Sequence, residues 1–297
     1  MSQIPLVIGA PAWDRAWSLP LWFSSLRANV DPADTGLVFV VPPSDLATRD
    51  EIAKHADAFR WVEIRADHEQ QTGRHDRPAT GHATLAKARN QILRVVERVG
   101  PRRYLSWDTD FLVPPGTVER VARYGAPLAT VWAWLNRQPP RQMTYRGSDG
   151  RWIDVLVQDP VCATAMQWWR KAPRHYPGEL FGVMAAGFWP THIALAWQLM
   201  DRRAYRVARY SQHSSGEDVP FNMQLAARGV PRFCAGEILG LHLYDREAQD
   251  ERALGWPGVM RLTEQLPLAA TWEAERSPEL RALGLFPAKD LEQQEAA

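Results

Sequence analysis

The chain has 297 residues, of which 45% are apolar and 23% are charged, a composition that fills a sizeable core and excludes global disorder. Its 35 basic and 34 acidic residues leave a net charge of +1, so only a local basic patch could attract a polyanion. The two cysteines, Cys162 and Cys234, form neither a CxxC pair nor a disulfide framework, which indicates a reducing, cytoplasmic compartment.

Strands and helices alternate over the first 64 residues. Apolar runs predict strands over 6–10, 36–41 and 60–64. The stretches between them predict helices over 17–26 and 44–59, the second beginning at polar capping residues. This β-α-β-α-β order is typical of an α/β fold with a Rossmann-like, mostly parallel central sheet covered by helices on both faces.

A loop, a long helix and a strand are predicted next. Residues 67–82 are polar and contain glycine and proline, which favours a loop. Residues 85–99 carry apolar side chains at helical spacing, and the following Gly-Pro pair ends the helix. Residues 104–107 form an apolar run that predicts a strand leading directly into Asp108.

The second half of the chain gives weaker patterns. Residues 136–159 are predicted to be rich in loops, with a hairpin around 148–150. Helices are predicted over 191–200 and 219–228, and a last strand over 238–244.

One domain is predicted over residues 1–245, with a helical C-terminal extension over 246–297 that packs on it and ends in a frayed tail. The N-terminal residues lack the pattern of a signal peptide, and no stretch of about 18 apolar residues occurs. We therefore expect no integral membrane association.

An Asp-x-Asp pair, Asp108 and Asp110, stands at the end of the predicted strand 104–107. In open α/β sheets, ligands bind at the carboxyl ends of the strands. Two carboxylates at that edge can hold Mg²⁺ or Mn²⁺ together with a diphosphate. The alternative is turn chemistry or a helix cap; the preceding strand strengthens the metal interpretation, and both stay open on this motif alone.

Arg89 is placed near the apolar face of the predicted helix 85–99, four residues after Leu85 and three before Ile92. Such a position predicts a partner, either a carboxylate or a phosphate. The alternative is a surface arginine whose aliphatic stem covers apolar surface while its head group stays in water.

Two further polar features follow. Glu217 and Asp218 stand at the start of the predicted helix 219–228, where Asp218 suits an N-cap. An ionised carboxylate there could also accept a proton from a hydroxyl group. His242, in the last predicted strand, is either structural or a further metal ligand.

These motifs, in this order, resemble those of GT-A-type glycosyltransferases of the family-2-like and fungal-mannosyltransferase-like kind. The resemblance covers roughly residues 4 to 245. Its motifs, in chain order, are Pro11-Ala12-Trp13, Ala88-Arg89-Asn90, Trp107-Asp108-Thr109-Asp110, Ala186-Gly187-Phe188-Trp189, Gly216-Glu217-Asp218 and Leu241-His242.

The resemblance implies a role for each motif. A nucleotide-sugar donor would be bound by Pro11, Ala12, Trp13, Asp67, Arg89, Asn90, Asp108 and Thr109. The metal ligands would be Asp108, Asp110 and His242, holding Mn²⁺ or Mg²⁺. Asp218 or Glu217 would be the catalytic base or would position the acceptor, and Gly187, Phe188 and Trp189 would contact the acceptor.

The implied activity is transfer of a sugar from a UDP- or GDP-sugar to a hydroxyl of a saccharide, a small metabolite or a modified nucleic acid. Inversion and retention both stay open. Three alternatives remain: a haloacid-dehalogenase-like phosphatase with Asp108 as nucleophile, a sugar-nucleotide nucleotidyltransferase, and a non-catalytic carbohydrate-binding protein. The last would account for the 14 tryptophans but not for the acidic motifs.

Overall fold

The computed structural model describes residues 4–66, 79–135, 142–146, 152–156, 188–191, 194–213 and 216–243. For 79–80, 132–135, 142–146, 152–156, 188–190, 236–237, 239 and 241–242 the description covers the backbone. Asp67, Gly187 and the predicted extension 246–297 lie outside it. Among the helices described, none is both long and apolar enough to cross a membrane.

The first part of the chain has the predicted alternation of strands and helices. Its elements are β1 (Leu6–Pro11), α1 (Leu19–Arg27), a 3₁₀ turn (Pro32–Asp34), β2 (Thr35–Val41), α2 (Leu46–Ala56), β3 (Trp61–Ala66), α3 (Ala79–Val99) and β4 (Arg103–Trp107). Helix α2 begins at a side-chain cap, because Asp45 accepts a hydrogen bond from the Thr48 amide at 3.1 Å. Helix α3 begins at Ala79, so the end of the predicted loop 67–82 is helical.

The second part is more irregular. Its elements are β5 (Phe111–Leu112), α4 (Thr117–Arg123), β6 (Leu128–Leu135), β7 (Gln142–Arg146), β8 (Trp152–Leu156), β9 (Phe188–Pro190), β10 (Trp197–Asp201), α5 (Arg202–Tyr205), α6 (Asp218–Ala227) and β11 (Arg232–His242). Strands β7 and β8 pair antiparallel, which confirms the predicted hairpin.

Nine of the described strands form one sheet, in the order β3-β2-β1-β4-β10-β6-β11-β5, with β9 paired to β11. Strands β3, β2, β1 and β4 are parallel to one another. Strand β10 runs antiparallel to both β4 and β6, and β6 is parallel to β11. The sheet is therefore mixed, with one reversed strand in its middle.

The helix predicted over 191–200 is wrong, because Trp197–Asp201 is the strand β10. Its side chains are buried on both faces of the sheet, so the segment has no alternation of polar and apolar residues. Alanine, leucine, glutamine and methionine also favour helices intrinsically. Here the pairing with β4 and β6 overrides that local preference.

Each face of the sheet carries its own apolar core. Leu105 and Trp107 of β4 pack in one core together with residues of α1, α2 and α4. Tyr104, from the same strand, packs in the other core with residues of α3, α5 and α6. The result is a three-layer α/β/α arrangement, as the alternating pattern of the sequence predicts.

The strand order also locates a crevice. After β1 the chain builds β2 and β3 on one side, and then returns to place β4 on the other side of β1. The loops that leave β1 and β4 therefore diverge at the carboxyl edge of the sheet. This switch point is where open α/β sheets bind ligands.

Candidate functional site

The Asp108–Asp110 motif lies at this switch point, at the carboxyl end of β4. The Asp108 amide donates to the Ala196 carbonyl at 2.8 Å, just before β10. The Asp110 carbonyl accepts from the Leu243 amide at 2.7 Å, just after β11. The backbone of the motif is thus held by two strands that come from much later in the chain.

Arg89 of α3, the helix that packs against the sheet on the same side as Tyr104, extends its side chain to this motif and is buried. Its guanidinium donates to Glu217 Oε1 at 2.8 Å, to Ser106 Oγ at 2.9 Å and to Asp108 Oδ1 at 2.7 Å. Burial alone would lower the pKa of Arg89, but Asp108, Asp218 and Glu217 raise it well above its ordinary value. A permanently charged arginine therefore joins the two acidic motifs.

Glu217 and Asp218 differ in their partners. Glu217 is the residue before α6 and its carboxylate faces Arg89. Asp218 is the first residue of the helix, so its predicted N-cap role is wrong. Its Oδ1 accepts instead from Gln198 Nε2 of β10 at 2.8 Å.

The carboxyl of Asp218 is buried, and its titration follows from that. Burial raises the pKa of Asp218 from 3.8 to about 8. Arg89 acts in the opposite direction, while the nearby carboxylates of Glu217 and Asp108 add to the rise. A group with this pKa can both hold and release a proton near neutral pH.

Asn90 fixes the segment that lies over Arg89. Its Nδ2 donates to the Tyr210 carbonyl at 2.8 Å, and its Oδ1 accepts from the Tyr210 amide at 3.0 Å. The ring of Tyr210 in turn lies 5.5 Å from the Arg89 guanidinium carbon and stacks on Phe221 at 4.3 Å. Asn90 therefore shapes the wall of the site, and its amide is engaged in doing so.

The loop after β1 forms the other wall of the crevice. Pro11 ends β1, the Ala12 amide donates to the Val40 carbonyl at 2.9 Å, and Trp13 is half-buried beyond it. The side chain of Arg15 then reaches the Asp108–Asp110 motif, where its Nη2 lies 3.0 Å from Asp110 Oδ2. The loops after β1 and β4 are joined at the switch point by this ion pair.

The donor set for a metal is partly described. Asp108 and Asp110 supply carboxylate oxygens. Mg²⁺ and Mn²⁺ are commonly bound by one or two carboxylates together with the phosphates of a substrate. The described residues contain no group of three potential ligands. His242 pairs with Phe111 in the sheet, one residue from Asp110, but its side chain lies outside the described residues. The carboxylates fit such a metal chemically, although each also contacts an arginine.

Other residues named from the sequence are placed less completely. The backbone of Phe188 and Trp189 pairs with β11 opposite Ala235 and Cys234. Thr109 is buried between the two aspartates, and its Oγ1 has no hydrogen-bond partner among the described residues.

Three residues of the site were missed at the sequence level. Ser106 stands two positions before Asp108, and the two-residue period of a strand could have identified it. Arg15 could have been found as the basic residue nearest the end of β1. Gln198 had no such signal, because its strand reads as a helix.

No protein-family model matches the sequence, and no curated protein matches it either. Among solved structures, S. aureus TarS 1-349 in complex with UDP-GlcNAc matches with a TM-score of 0.50 and 13% identity, over 91% of this chain and 68% of that chain. The mannosyltransferase PcManGT from Pyrobaculum calidifontis, in complex with GDP-Man and Mn²⁺, matches at 0.49 and 13% identity, over 100% of this chain and 80% of that chain.

GalNAc-T7 with UDP, GalNAc and Mn²⁺ also matches at 0.49, with 9% identity over 81% of this chain and 44% of that chain. At such sequence identities a match is evidence for the fold alone. The TM-score of 0.50 for TarS is high enough to be such evidence. The chain has an α/β fold of the GT-A type.

Proposed function

We propose that the chain is a glycosyltransferase that moves a sugar from a UDP- or GDP-sugar to an acceptor hydroxyl, with Mn²⁺ or Mg²⁺ at the Asp108–Asp110 motif. One observation carries the proposal. The buried link from Glu217 through Arg89 to Asp108 joins two acidic motifs at the carboxyl edge of a GT-A-type sheet. Such an edge suits a nucleotide ligand and a reaction beside it.

The donor would lie between the loops after β1 and β4. Pro11, Ala12, Trp13, Asp67 and Thr109 are the residues we assign to its nucleoside and sugar. Asp108, Asp110 and His242 would hold the divalent metal, which when bound offsets negative charge on the departing nucleoside diphosphate.

Arg89 has a different role in this proposal from the one that the resemblance implies. Its guanidinium is buried and each of its three nitrogens donates to a protein oxygen, so the protein side chains around it already hold it in place. We assign it to orientation of Asp108 and Glu217. Fixed partners of this kind hold a reactive geometry more tightly than a solvated side chain does.

Asp218 is our choice for the group that takes the proton of the acceptor hydroxyl. Glu217 is committed to Arg89, whereas Asp218 accepts from the neutral Gln198 amide and keeps a pKa of about 8. As the acceptor oxygen bonds to the sugar carbon and the bond to the diphosphate breaks, the hydroxyl proton passes to the Asp218 carboxylate. This assignment favours inversion at the sugar carbon.

The acceptor is assigned only by class. Gly187, Phe188 and Trp189 would contact it, and it would be a saccharide, a small metabolite or a modified nucleic acid. TarS 1-349 was solved in complex with UDP-GlcNAc, which makes UDP-sugars the first donors to try, with GDP-sugars beside them.

The test measures the melting temperature of the protein with Mn²⁺ and each member of a panel of UDP- and GDP-sugars. We expect at least one donor to raise the melting temperature, because a ligand that binds only the folded state stabilises it. Asp110→Asn is the matched variant, since it keeps the shape of the side chain and removes its charge. The proposal fails if no donor protects the wild-type protein with metal present.

Turnover separates an enzyme from a carbohydrate-binding protein. Hydrolysis of the protecting donor, measured as release of the free nucleoside diphosphate, should require Asp110. Release that persists in Asp110→Asn, or protection by free sugars without any release, would argue against metal-dependent transfer.

A further inference from the structure

Arg15 contacts the same carboxylate that the proposed function gives to a metal. Its Nη2 lies 3.0 Å from Asp110 Oδ2, and the two side chains are 17% and 12% exposed. This pair is shielded enough from water for its attraction to exceed that of an ordinary surface ion pair.

The backbone of Arg15 is anchored at the start of α2, while its head group makes its shortest contact with Asp110. Two weaker contacts accompany that ion pair: Arg15 Nη1 donates to the Asp14 carbonyl at 3.5 Å, and the guanidinium carbon lies 5.8 Å from the centre of the Trp17 ring. The Asp14 amide donates to Asp45 Oδ2 at 2.5 Å, and the Arg15 amide donates to Thr48 Oγ1 at 2.9 Å. Both acceptors belong to the start of α2. Asp14 itself has a φ of +52°, so the loop turns sharply just before Arg15. The two amide hydrogen bonds hold the main chain independently of the ion pair, so a change of partner at the guanidinium does not require them to open.

Arginine and a divalent metal compete for Asp110. Both are cations, and a metal that took Oδ2 would repel a guanidinium 3.0 Å from that oxygen. The displaced guanidinium would need a new anion close by. The diphosphate of a donor in the same crevice offers oxygens that match its planar fork.

We propose that Arg15 is a positioning residue that holds Asp110 before the donor arrives and passes to the donor's diphosphate when the metal binds Asp110. The proposal rests on the proposed function for its second half. One ion pair, Arg15 with Asp110, is exchanged for two, Asp110 with metal and Arg15 with diphosphate, and no covalent bond changes. Metal and nucleotide then strengthen each other's binding by the same factor.

The experiment titrates Mn²⁺ alone, by calorimetry, into the wild-type protein and three variants. Arg15→Gln should bind Mn²⁺ about tenfold more tightly than the wild type, because no guanidinium has to be displaced. Arg15→Lys keeps the charge and should behave like the wild type. Arg203→Gln is the matched control, since it removes an arginine 2.7 Å from Asp201, at the far end of β10; it should leave Mn²⁺ affinity unchanged.

A second titration adds UDP or GDP at saturating Mn²⁺. Arg15→Gln should now bind the nucleotide about tenfold more weakly than the wild type, because the contact with the diphosphate is lost. The same substitution thus shifts the two affinities in opposite directions. A purely structural role for Arg15 would lower both.

The outcomes separate this inference from the proposed function. An unchanged Mn²⁺ affinity in Arg15→Gln, beside normal nucleotide binding, overturns the inference alone. Absence of Mn²⁺ binding in every variant overturns it as well. Tighter Mn²⁺ binding in Arg15→Gln with no nucleotide binding by the wild type overturns the transfer to diphosphate and, with it, the proposed function.

Discussion

Replacing Arg89 with methionine is the sharpest test of the buried link. Methionine keeps an unbranched apolar stem and removes the charge and all three hydrogen bonds of Arg89. Glu217 and Asp108 then lose the cation that both of them contact. The effect on folding follows from how far each carboxylate is shielded from water.

Glu217 dominates the expected cost. Its side chain is 4% exposed, whereas that of Asp108 is 24% exposed and can be solvated. Leaving one partner of a buried pair uncompensated costs about 3–5 kcal/mol. Glu217→Gln removes the charge that has lost Arg89 and, among the described residues, keeps only His82, 3.6 Å from its Oε2, so the double variant should be roughly 2 kcal/mol more stable than the sum of the single changes predicts.

Urea unfolding measures both quantities. We expect a lower midpoint at an unchanged slope, since the same surface is exposed on unfolding. Arg203→Met is the control, because Arg203 also pairs with a carboxylate but is 65% exposed, and its loss should cost at most about 1 kcal/mol. If Arg89→Met costs no more than Arg203→Met, or if the double variant is strictly additive, the buried link does not exist as described.

Three further predictions concern the walls of the site. The pKa of Asp218 is raised from 3.8 to about 8, so between these pH values the folded protein binds more protons than the unfolded chain. The free energy of unfolding should therefore fall as pH rises through this range, by at most about 1.4 kcal/mol per pH unit. Asp218→Asn should lack this slope. A Cβ at Gly240 would lie 2.3 Å from Phe111 Cζ, so Gly240→Val should cost about 1–3 kcal/mol and weaken donor binding. Asn90→Ala removes both hydrogen bonds to the Tyr210 backbone and should cost about 1–3 kcal/mol, and Asn90→Asp should not be milder, because it sets an oxygen in place of the donor that faces the Tyr210 carbonyl.

Each of these has a measurement that would contradict it. If the free energy of unfolding, measured with urea, depends on pH in the same way in wild type and Asp218→Asn from pH 4 to pH 8, the raised pKa of Asp218 is contradicted. Gly240→Ala already places a Cβ against Phe111, so it should also lower the melting temperature, and an unchanged melting temperature in Gly240→Ala would contradict the clash. Hydrogen exchange should quicken at Tyr210 in Asn90→Ala, and unchanged exchange there would mean that the Asn90 amide does not hold this segment.

The half of the fold that local patterns specify was predictable. Strands β1 to β4 are short apolar runs between helices of ordinary spacing, and their order alone implies a parallel sheet and its switch point. The Asp-x-Asp pair could be placed at the sheet edge because it follows such a run directly. Its tie to Arg89 was half predictable, since a charged residue near an apolar helix face needs a partner.

The rest depends on residues that are distant in sequence. Whether 197–201 is strand or helix is decided by β4 and β6, which precede it by more than sixty residues. The partner of Asp218 is a glutamine on that same strand, so its role could not be separated from an N-cap. Arg15 meets Asp110 only because β1 and β4 are neighbours in the sheet and the loops that follow them face each other across the crevice, and no local pattern encodes that meeting.

The reversed strand β10 also determines when, during synthesis, the motif takes its shape. Before residue 201 is made, β4 has one hydrogen-bonding edge uncovered, and Asp108 has no Ala196 carbonyl to bind. An uncovered strand edge is a template for pairing with other chains. A chain cut after residue 190 should therefore build the parallel unit and aggregate through β4. In the full chain, β10 covers this edge of β4 because it pairs with both β4 and β6.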